Sequence, residues 1–130
     1  MRVNYLLDTN ILIDIRDNAP GIRRRVAELS GTLGMSVVSR VELENGVFRD
    51  PVTAALKRQQ LEVILAATQV LPFDDDSLSS YFLIAAAVGY SRRKLLDRMI
   101  AAQALAWSAT LITSNTRDFS DIPNLTIVSW

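Results

Sequence analysis

Short apolar runs alternate along this chain with longer stretches in which apolar residues recur every three or four positions. The short runs predict buried strands, and the longer stretches predict helices. Strands separated by helices pair in parallel, because the chain must cross back to the end of the sheet where it started. The pattern therefore predicts an α/β fold, a parallel sheet covered by helices on both faces. The five predicted strands are Asn4–Leu7, Met35–Val38, Val70–Phe73, Thr110–Thr113 and Thr126–Val128.

Turn and capping residues set the limits of the predicted helices. Acidic residues favour helix starts, proline suits the first helical position and glycine favours helix ends. Pro72 cannot donate a ladder hydrogen bond, so the third strand is predicted at an edge of the sheet. The predicted helices run from Pro20 to near Gly31, from a Ser39–Glu42 capping box toward Phe48, from Asp50-Pro51 to Ala67, from Asp74–Asp76 to Gly89, and from between Ser91 and Asp97 to about Trp107.

The 130 residues have the length of one domain, so we expect residues 1–130 to form a single unit with one active site. The 14 basic and 14 acidic side chains give no net charge, which argues against broad duplex binding but allows a local basic patch. The apolar stretches are shorter than a membrane span, and the first residues lack a signal-peptide layout. We therefore expect a cytoplasmic protein that does not enter a membrane.

The chain contains neither cysteine nor histidine. Without cysteine there can be no disulfide and no thiolate metal site. Without histidine the usual general base near neutral pH is missing, and so are the Ser-His-Asp and Cys-His systems. If the protein is an enzyme, carboxylates must carry its chemistry.

Asp8 follows an apolar strand directly, which places its carboxylate at the mouth of the predicted sheet, partly shielded from water. An unpaired charge is costly in such a place. A structural explanation is equally open, because Asp8, Thr9 or Asn10 could simply cap the next helix. The position of Asp8 therefore makes it a candidate site residue but does not decide between a site role and a capping role.

Glu42 and Asp97 are the next two candidates. Glu42 lies in the first turn after the second strand and can reach the same cleft, although a capping role with Ser39 explains it too. Glu44 should point elsewhere, about 200° around the helix. Asp97 lies on a stripe that is otherwise apolar, with Ile100, Ala101 and Ala104. A favourable helix-dipole contact, or an ion pair with Arg93, Lys94 or Arg98, is its structural alternative.

Asn115 and Asp118 lie in the loop after the fourth strand, where either could be only a turn former. Taken together, carboxylates from four regions separated by ~6 Å would repel by roughly 3 kcal/mol per pair at an effective dielectric near 20. A bound cation would relieve that repulsion. Oxygen-only ligands select Mg²⁺ or Mn²⁺, and the spacing of a calcium EF-hand is absent from the sequence. Such a site supports attack of a metal-activated water on phosphorus.

Four short motifs resemble, in order and spacing, those of PIN domains, and specifically of VapC-type toxins of bacterial toxin-antitoxin pairs. The resemblance extends over nearly the whole chain. The motifs are Leu6-Leu7-Asp8-Thr9-Asn10, Ser39-Arg40-Val41-Glu42-Leu43, Leu96-Asp97-Arg98-Met99-Ile100-Ala101-Ala102 and Thr113-Ser114-Asn115-Thr116-Arg117-Asp118-Phe119.

The resemblance implies a five-stranded parallel sheet and an acidic triad of Asp8, Glu42 and Asp97 that holds Mg²⁺ or Mn²⁺. It implies a fourth acidic position around Asn115 to Asp118, where Asp118 could serve, or Asn115 through its carbonyl oxygen. Thr9 or Asn10, together with Ser39, would support the site through hydrogen bonds.

The resemblance also implies an endoribonuclease that leaves a 5′ phosphate and is inhibited by a small VapB-type antitoxin, which alone binds the operator DNA. A catalytically silent PIN-like module that binds RNA or protein is the alternative, and a DNA-directed nuclease is also open. Exposed apolar side chains, expected at Val47, Phe48, Tyr81 and Phe82, would suit a homodimer and an antitoxin groove, although core packing explains them equally well. The candidate contacts to RNA phosphates are Arg92, Arg93, Lys94, Arg98 and Arg117.

Overall fold

The computed structural model describes residues 2–130, which form an α/β fold of five strands, six α-helices and one 3-10 helix. The strands are β1 (Tyr5–Leu7), β2 (Leu33–Ser36), β3 (Gln69–Leu71), β4 (Thr110–Thr113) and β5 (Ile127–Ser129). The α-helices are α1 (Thr9–Arg16), α2 (Ile22–Ala27), α3 (Val37–Arg49), α4 (Ala54–Ala67), α5 (Asp75–Val88) and α6 (Leu95–Ala106). The 3-10 helix is Thr116–Phe119.

All five strands are parallel, in the order β3-β2-β1-β4-β5. The predicted parallel sheet is therefore confirmed, and β3 lies at an edge as the proline after its last residue predicted. Strand β1 lies in the middle, with β2 on one side and β4 on the other. The segments that follow these three strands consequently meet at one edge of the sheet.

Neighbouring residues of each central strand face opposite sides of the sheet, as the two-residue period of a strand requires. Leu6 and Leu111 pack with α5 and α6 residues on one face, whereas Leu7 and Ile112 pack with α1 and α4 residues on the other. The fold therefore has one apolar core on each face.

The boundary between β2 and α3 differs from the prediction. The second strand was expected at Met35–Val38 with a capping box from Ser39 to Glu42, but the helix already begins at Val37. The cap is Ser36, whose hydroxyl accepts the backbone N–H of Val38 at 3.0 Å. The valines favoured a strand by propensity, but this hydrogen bond and the burial of Val38 favour the helix.

One further expectation is wrong. Pro20 is not the first residue of a helix, because Gly21 precedes α2 with a φ of 80° that glycine adopts without strain. For Val47 the core-packing alternative holds, since only 5% of its surface is accessible and it belongs to a core. Phe48 and Phe82 are exposed, by 76% and 59%, as an interaction surface would require.

None of the helices in residues 2–130 combines the length and the apolar character that crossing a membrane demands.

We predict that Gly34→Ala destabilises the protein by about 1–3 kcal/mol, the usual cost of overpacking a core. Gly34 is buried in β2, and a Cβ there would lie 2.7 Å from Cγ1 of Val3. Urea unfolding of both proteins measures the difference in the free energy of unfolding. The double variant with Val3→Ala should lose less stability than the sum of the two single losses, because the smaller side chain makes room for the new Cβ. A loss equal to that sum would contradict the proposed clash.

Candidate active site

Asp8 lies between the central strand and α1 and is held by two hydrogen bonds. Its Oδ1 accepts the backbone N–H of Thr9 and its Oδ2 accepts the hydroxyl of Thr113, both at 2.8 Å. Burial raises the pKa of Asp8 above its ordinary value, the two hydrogen bonds oppose that rise, and the charge of Asp118 adds to it. Asp8 therefore caps α1, as the structural explanation proposed, and it is also a buried carboxylate beside another acidic residue.

Thr9 connects the first two candidate carboxylate positions. Its hydroxyl donates to Oε1 of Glu42 at 3.0 Å and lies 2.8 Å from the hydroxyl of Ser39. A hydroxyl has one proton, so the Ser39 hydroxyl is the donor to Thr9. This chain of hydrogen bonds joins α1 to α3 at the edge of the sheet. Asn10 is exposed, and no side-chain hydrogen bond to it is found within residues 2–130.

Glu44 is directed away from this region, as its helical position predicted. Its carboxylate accepts two hydrogen bonds from Arg58 on α4, at 3.1 and 2.6 Å. These hydrogen bonds lower the pKa of Glu44. Two glutamates two residues apart on one helix thus have different surroundings, since Glu42 contacts a hydroxyl and Glu44 a guanidinium.

Asp97 is a half-buried carboxylate in the first turn of α6. Its position at the helix start agrees with the helix-dipole explanation. No salt bridge to it is found anywhere in residues 2–130, which contradicts the other structural explanation, an ion pair with Arg93, Lys94 or Arg98. Burial, followed by the charges of Asp8, Asp118 and Glu42, raises the pKa of Asp97 to about 6, and Lys94 opposes this rise. The fold thus places four carboxylates near one another, from four separate segments.

Asp118 and Asn115 form one unit in the loop after β4. The side-chain amide of Asn115 donates to Oδ2 of Asp118, and the backbone N–H of Asn115 donates to the hydroxyl of Thr113 at 2.9 Å. The amide donates and the carboxylate accepts, so Asp118 is the acidic member of the pair. Both residues that the sequence left open for the fourth position therefore lie beside the other carboxylates.

The donor set suits a hard divalent cation, because carboxylate oxygens are the ligands that Mg²⁺ and Mn²⁺ prefer. As the side chains stand, no three acidic residues of the described segment are close enough to bind one metal ion. Carboxylates near one another repel unless a cation lies between them. A cation that reduced the repulsion would allow Glu42 and Asp97, which are less buried than Asp8, to move closer.

The basic residues expected to contact RNA fall into two groups. Arg98 is only 4% exposed, and its guanidinium donates to the Gly89 carbonyl at 2.7 Å and lies 3.5 Å from Asp121. It therefore has no surface to offer a phosphate and does not fit that expectation. Lys94 also pairs with Asp121, at 3.7 Å. Of the five, Arg92, Arg93 and Arg117 are exposed.

Thr113 is a residue of this region that the sequence reasoning missed as a site residue. The register of the sheet pairs Leu7 with Ile112, so the next residues, Asp8 and Thr113, lie side by side on adjacent strands. Threonine is a common strand residue, and nothing in its local sequence marked it. Only the pairing of β1 with β4 would have shown its role.

We predict that Thr113→Val destabilises the metal-free protein by about 1–3 kcal/mol near pH 7, because the buried Asp8 loses a donor. The folded protein already holds the Asp8 proton more tightly than the unfolded chain does, and the substitution raises the pKa of Asp8 further. The free energy of unfolding therefore falls as pH rises through that pKa, and the loss should be smaller near pH 4. Urea unfolding in EDTA at both pH values measures it.

Thr113→Ser is the matched control, because it keeps the hydroxyl and should stay close to the unchanged protein. An equal loss at the two pH values would show that the threonine contributes packing only.

Comparison with known proteins identifies the family of this chain. The family model of the PIN domain matches residues 5–125. Ribonuclease VapC1 of Haemophilus influenzae strain R2866 is 31% identical over 131 residues, 97% of each chain. The tRNA(fMet)-specific endonuclease VapC of Shigella flexneri is 28% identical over 134 residues, 98% of each chain.

A solved structure shows the same fold. VapBC2 from Rickettsia felis, bound to a DNA fragment from their promoter, superposes with a TM-score of 0.87 at 24% identity, covering 98% of this chain and 99% of that one. The family model spans every segment that contributes a carboxylate, from β1 to the loop after β4. The chain belongs to the PIN domain family.

Proposed function

We propose that this protein is a metal-dependent endoribonuclease that acts as the toxin of a toxin-antitoxin pair. One observation carries the proposal: Asp97 is half-buried beside Asp8, Glu42 and Asp118, and no salt bridge within residues 2–130 neutralises it. Maintaining such a cluster is costly unless a cation joins it. The names of the nuclease relatives agree with this chemistry.

Asp8, Glu42 and Asp97 would hold Mg²⁺ or Mn²⁺, with Asp118 as the fourth acidic group. When bound, the cation supplies activation of water and stabilisation of charge on the phosphate oxygens. The hydroxyls of Thr9 and Thr113 orient Glu42 and Asp8 by donating to them. Neutral donors hold these carboxylates in place without cancelling the negative charge that attracts the cation.

RNA is the proposed substrate because the Haemophilus relative is named a ribonuclease and the Shigella relative is named for a tRNA. Arg92, Arg93 and Arg117 are exposed, lie within five residues of Asp97 or Asp118 in sequence, and would contact backbone phosphates. Such contacts orient the strand without reading its bases. The cleaved bond would lie across the carboxylate cluster, between the arginines that precede α6 and the arginine of the 3-10 helix.

The proposed partners are a VapB-type antitoxin and a second copy of the chain. The Rickettsia structure is a VapBC complex on promoter DNA, so operator binding is proposed only through the antitoxin. Exposed Phe48 and Phe82 supply apolar surface for these contacts. Light scattering of the isolated protein should show a dimer, and a monomer at all concentrations would remove the second copy from the proposal.

A direct assay separates this proposal from a silent binding module and from a DNA nuclease. RNA and DNA strands of the same sequence are incubated with the protein in Mn²⁺ and in EDTA. Cleavage of the RNA alone, and only with the metal, supports the proposal. Binding without cleavage under both conditions would favour the silent module, and cleavage of both strands would remove RNA specificity.

We predict that Glu42→Gln slows RNA cleavage by more than about 100-fold, beyond the usual cost of outer-shell substitutions at metal sites. The change keeps the acceptor for the Thr9 hydroxyl, so the fold should survive. Glu44→Gln on the same helix is the matched control, because that carboxylate binds Arg58 and should be dispensable for cleavage. Equal rates for the two variants would refute the assignment of Glu42.

We predict that Asp97→Asn abolishes cleavage and yet raises the melting temperature in EDTA. The substitution removes a charge that burial and three neighbouring carboxylates disfavour. Without that carboxylate, added Mn²⁺ should stabilise the variant much less than the unchanged protein. Calorimetric melting with and without Mn²⁺ measures both effects, and an unchanged stabilisation by Mn²⁺ would exclude Asp97 as a ligand.

A further inference from the structure

Gln103 on α6 is a fully buried amide whose side-chain groups all have partners in the protein. Its Nε2 donates to the backbone carbonyls of Leu71 and Pro72, each at 2.9 Å. Its Oε1 accepts the hydroxyl of Ser36. Both Gln103 and Ser36 are 0% exposed. One side chain therefore connects α6 to the carboxyl ends of β2 and β3.

Ser36 extends this connection to α3. Its hydroxyl donates to Gln103 and accepts the backbone N–H of Val38, so it is the cap from which α3 starts. Helix α3 carries Ser39 and Glu42, and α6 carries Asp97 six residues before Gln103. The Gln103 amide thus joins the start of one carboxylate-bearing helix to the middle of another.

The charges of the site act against this arrangement. Asp97 is repelled by Asp8, Glu42 and Asp118, and this repulsion pushes the first turn of α6 away from α1 and α3. A helix transmits such a force along its length, and six residues correspond to about 9 Å of rise. The hydrogen bonds of Gln103 are directed toward the sheet and oppose that displacement.

We infer that Gln103 is a positioning residue of the metal site, which sets the distance between Asp97 and Glu42 through the Ser36 hydroxyl. The inference rests on the proposed function. Glutamine suits this place because it provides two donors for the carbonyls and one acceptor for the hydroxyl in the same group. A methionine of similar length would leave the buried Leu71 carbonyl, the Pro72 carbonyl and the Ser36 hydroxyl without these partners.

The test measures Mn²⁺ affinity by calorimetric titration in the unchanged protein, in Gln103→Met, in Ser36→Ala and in the double variant. Each single change should weaken Mn²⁺ binding about tenfold, at the lower end of what outer-shell substitutions cost. Because both act through one connection, the double variant should also be weakened about tenfold rather than a hundredfold. Ser36→Ala keeps the test decisive if Gln103→Met does not fold.

Leu61→Ala in α4 is the matched control for a loss of stability alone, since Leu61 is buried in the core on the other face of the sheet. It should lower the melting temperature and leave the Mn²⁺ affinity within about twofold, a change that falls well short of the 10-fold outer-shell cost.

Two results would overturn the inference, and only the second would also overturn the proposed function. If the unchanged protein binds Mn²⁺ and cleaves RNA while Gln103→Met and Ser36→Ala only lose stability, Gln103 has a structural role and the proposed function stands. If the unchanged protein neither binds Mn²⁺ nor cleaves RNA, the proposed function fails and the inference fails with it.

Discussion

The architecture depends on one electrostatic constraint: four carboxylates are held near one another where water is partly excluded. Their mutual repulsion shows in the raised pKa of Asp97, to about 6, which burial and the three other charges cause. The covalent chain alone could not hold them there, because they come from segments far apart in sequence. Pairing of β1 with β2 and β4 brings three of those segments to one edge, and α6, which packs against α3 and the 3-10 helix, brings the fourth. The two apolar cores support the sheet beneath them.

Neutral hydroxyls, rather than cationic side chains, donate to the buried Asp8 and to the more exposed Glu42. Thr113 donates to Asp8 and Thr9 donates to Glu42, whereas Lys94 and Arg98, the basic residues on either side of Asp97 at the start of α6, pair with Asp121 instead. Under the proposed function, the pairing of these basic residues with Asp121 leaves the negative charge of the site carboxylates available to a cation. An arginine against Asp97 would stabilise the metal-free protein and compete with the cation, but a hydroxyl orients a carboxylate and leaves its charge available.

Local sequence predicted the strands, most of the helices and the parallel sheet, because those features follow from apolar period and turn residues. It also placed Asp97 on an apolar stripe, where the structure finds it half-buried. What it could not show depended on tertiary partners. Ser36 and Ser39 are equally good helix caps by residue type. Ser36 is the observed cap, and its hydroxyl also donates to Gln103, which is distant in sequence. Arg98 resembles Arg92 in sequence, but only the fold shows that Arg98 is enclosed by Gly89 and Asp121.

The pairing of β1 with β4 also determines when the site can exist during synthesis. Asp8 is made early, but its partner Thr113 lies 105 residues later, and β4 must insert beside β1 before the two can meet. A nascent chain that ends before β4 therefore has its first carboxylates without the strand that orders them. Bringing such distant residues together carries a loop-closure cost that local contacts do not have. Under the proposed function, a ribosome would release a nuclease whose activity begins only after almost the whole domain has emerged, so that abandoned fragments would be harmless to the cell that made them.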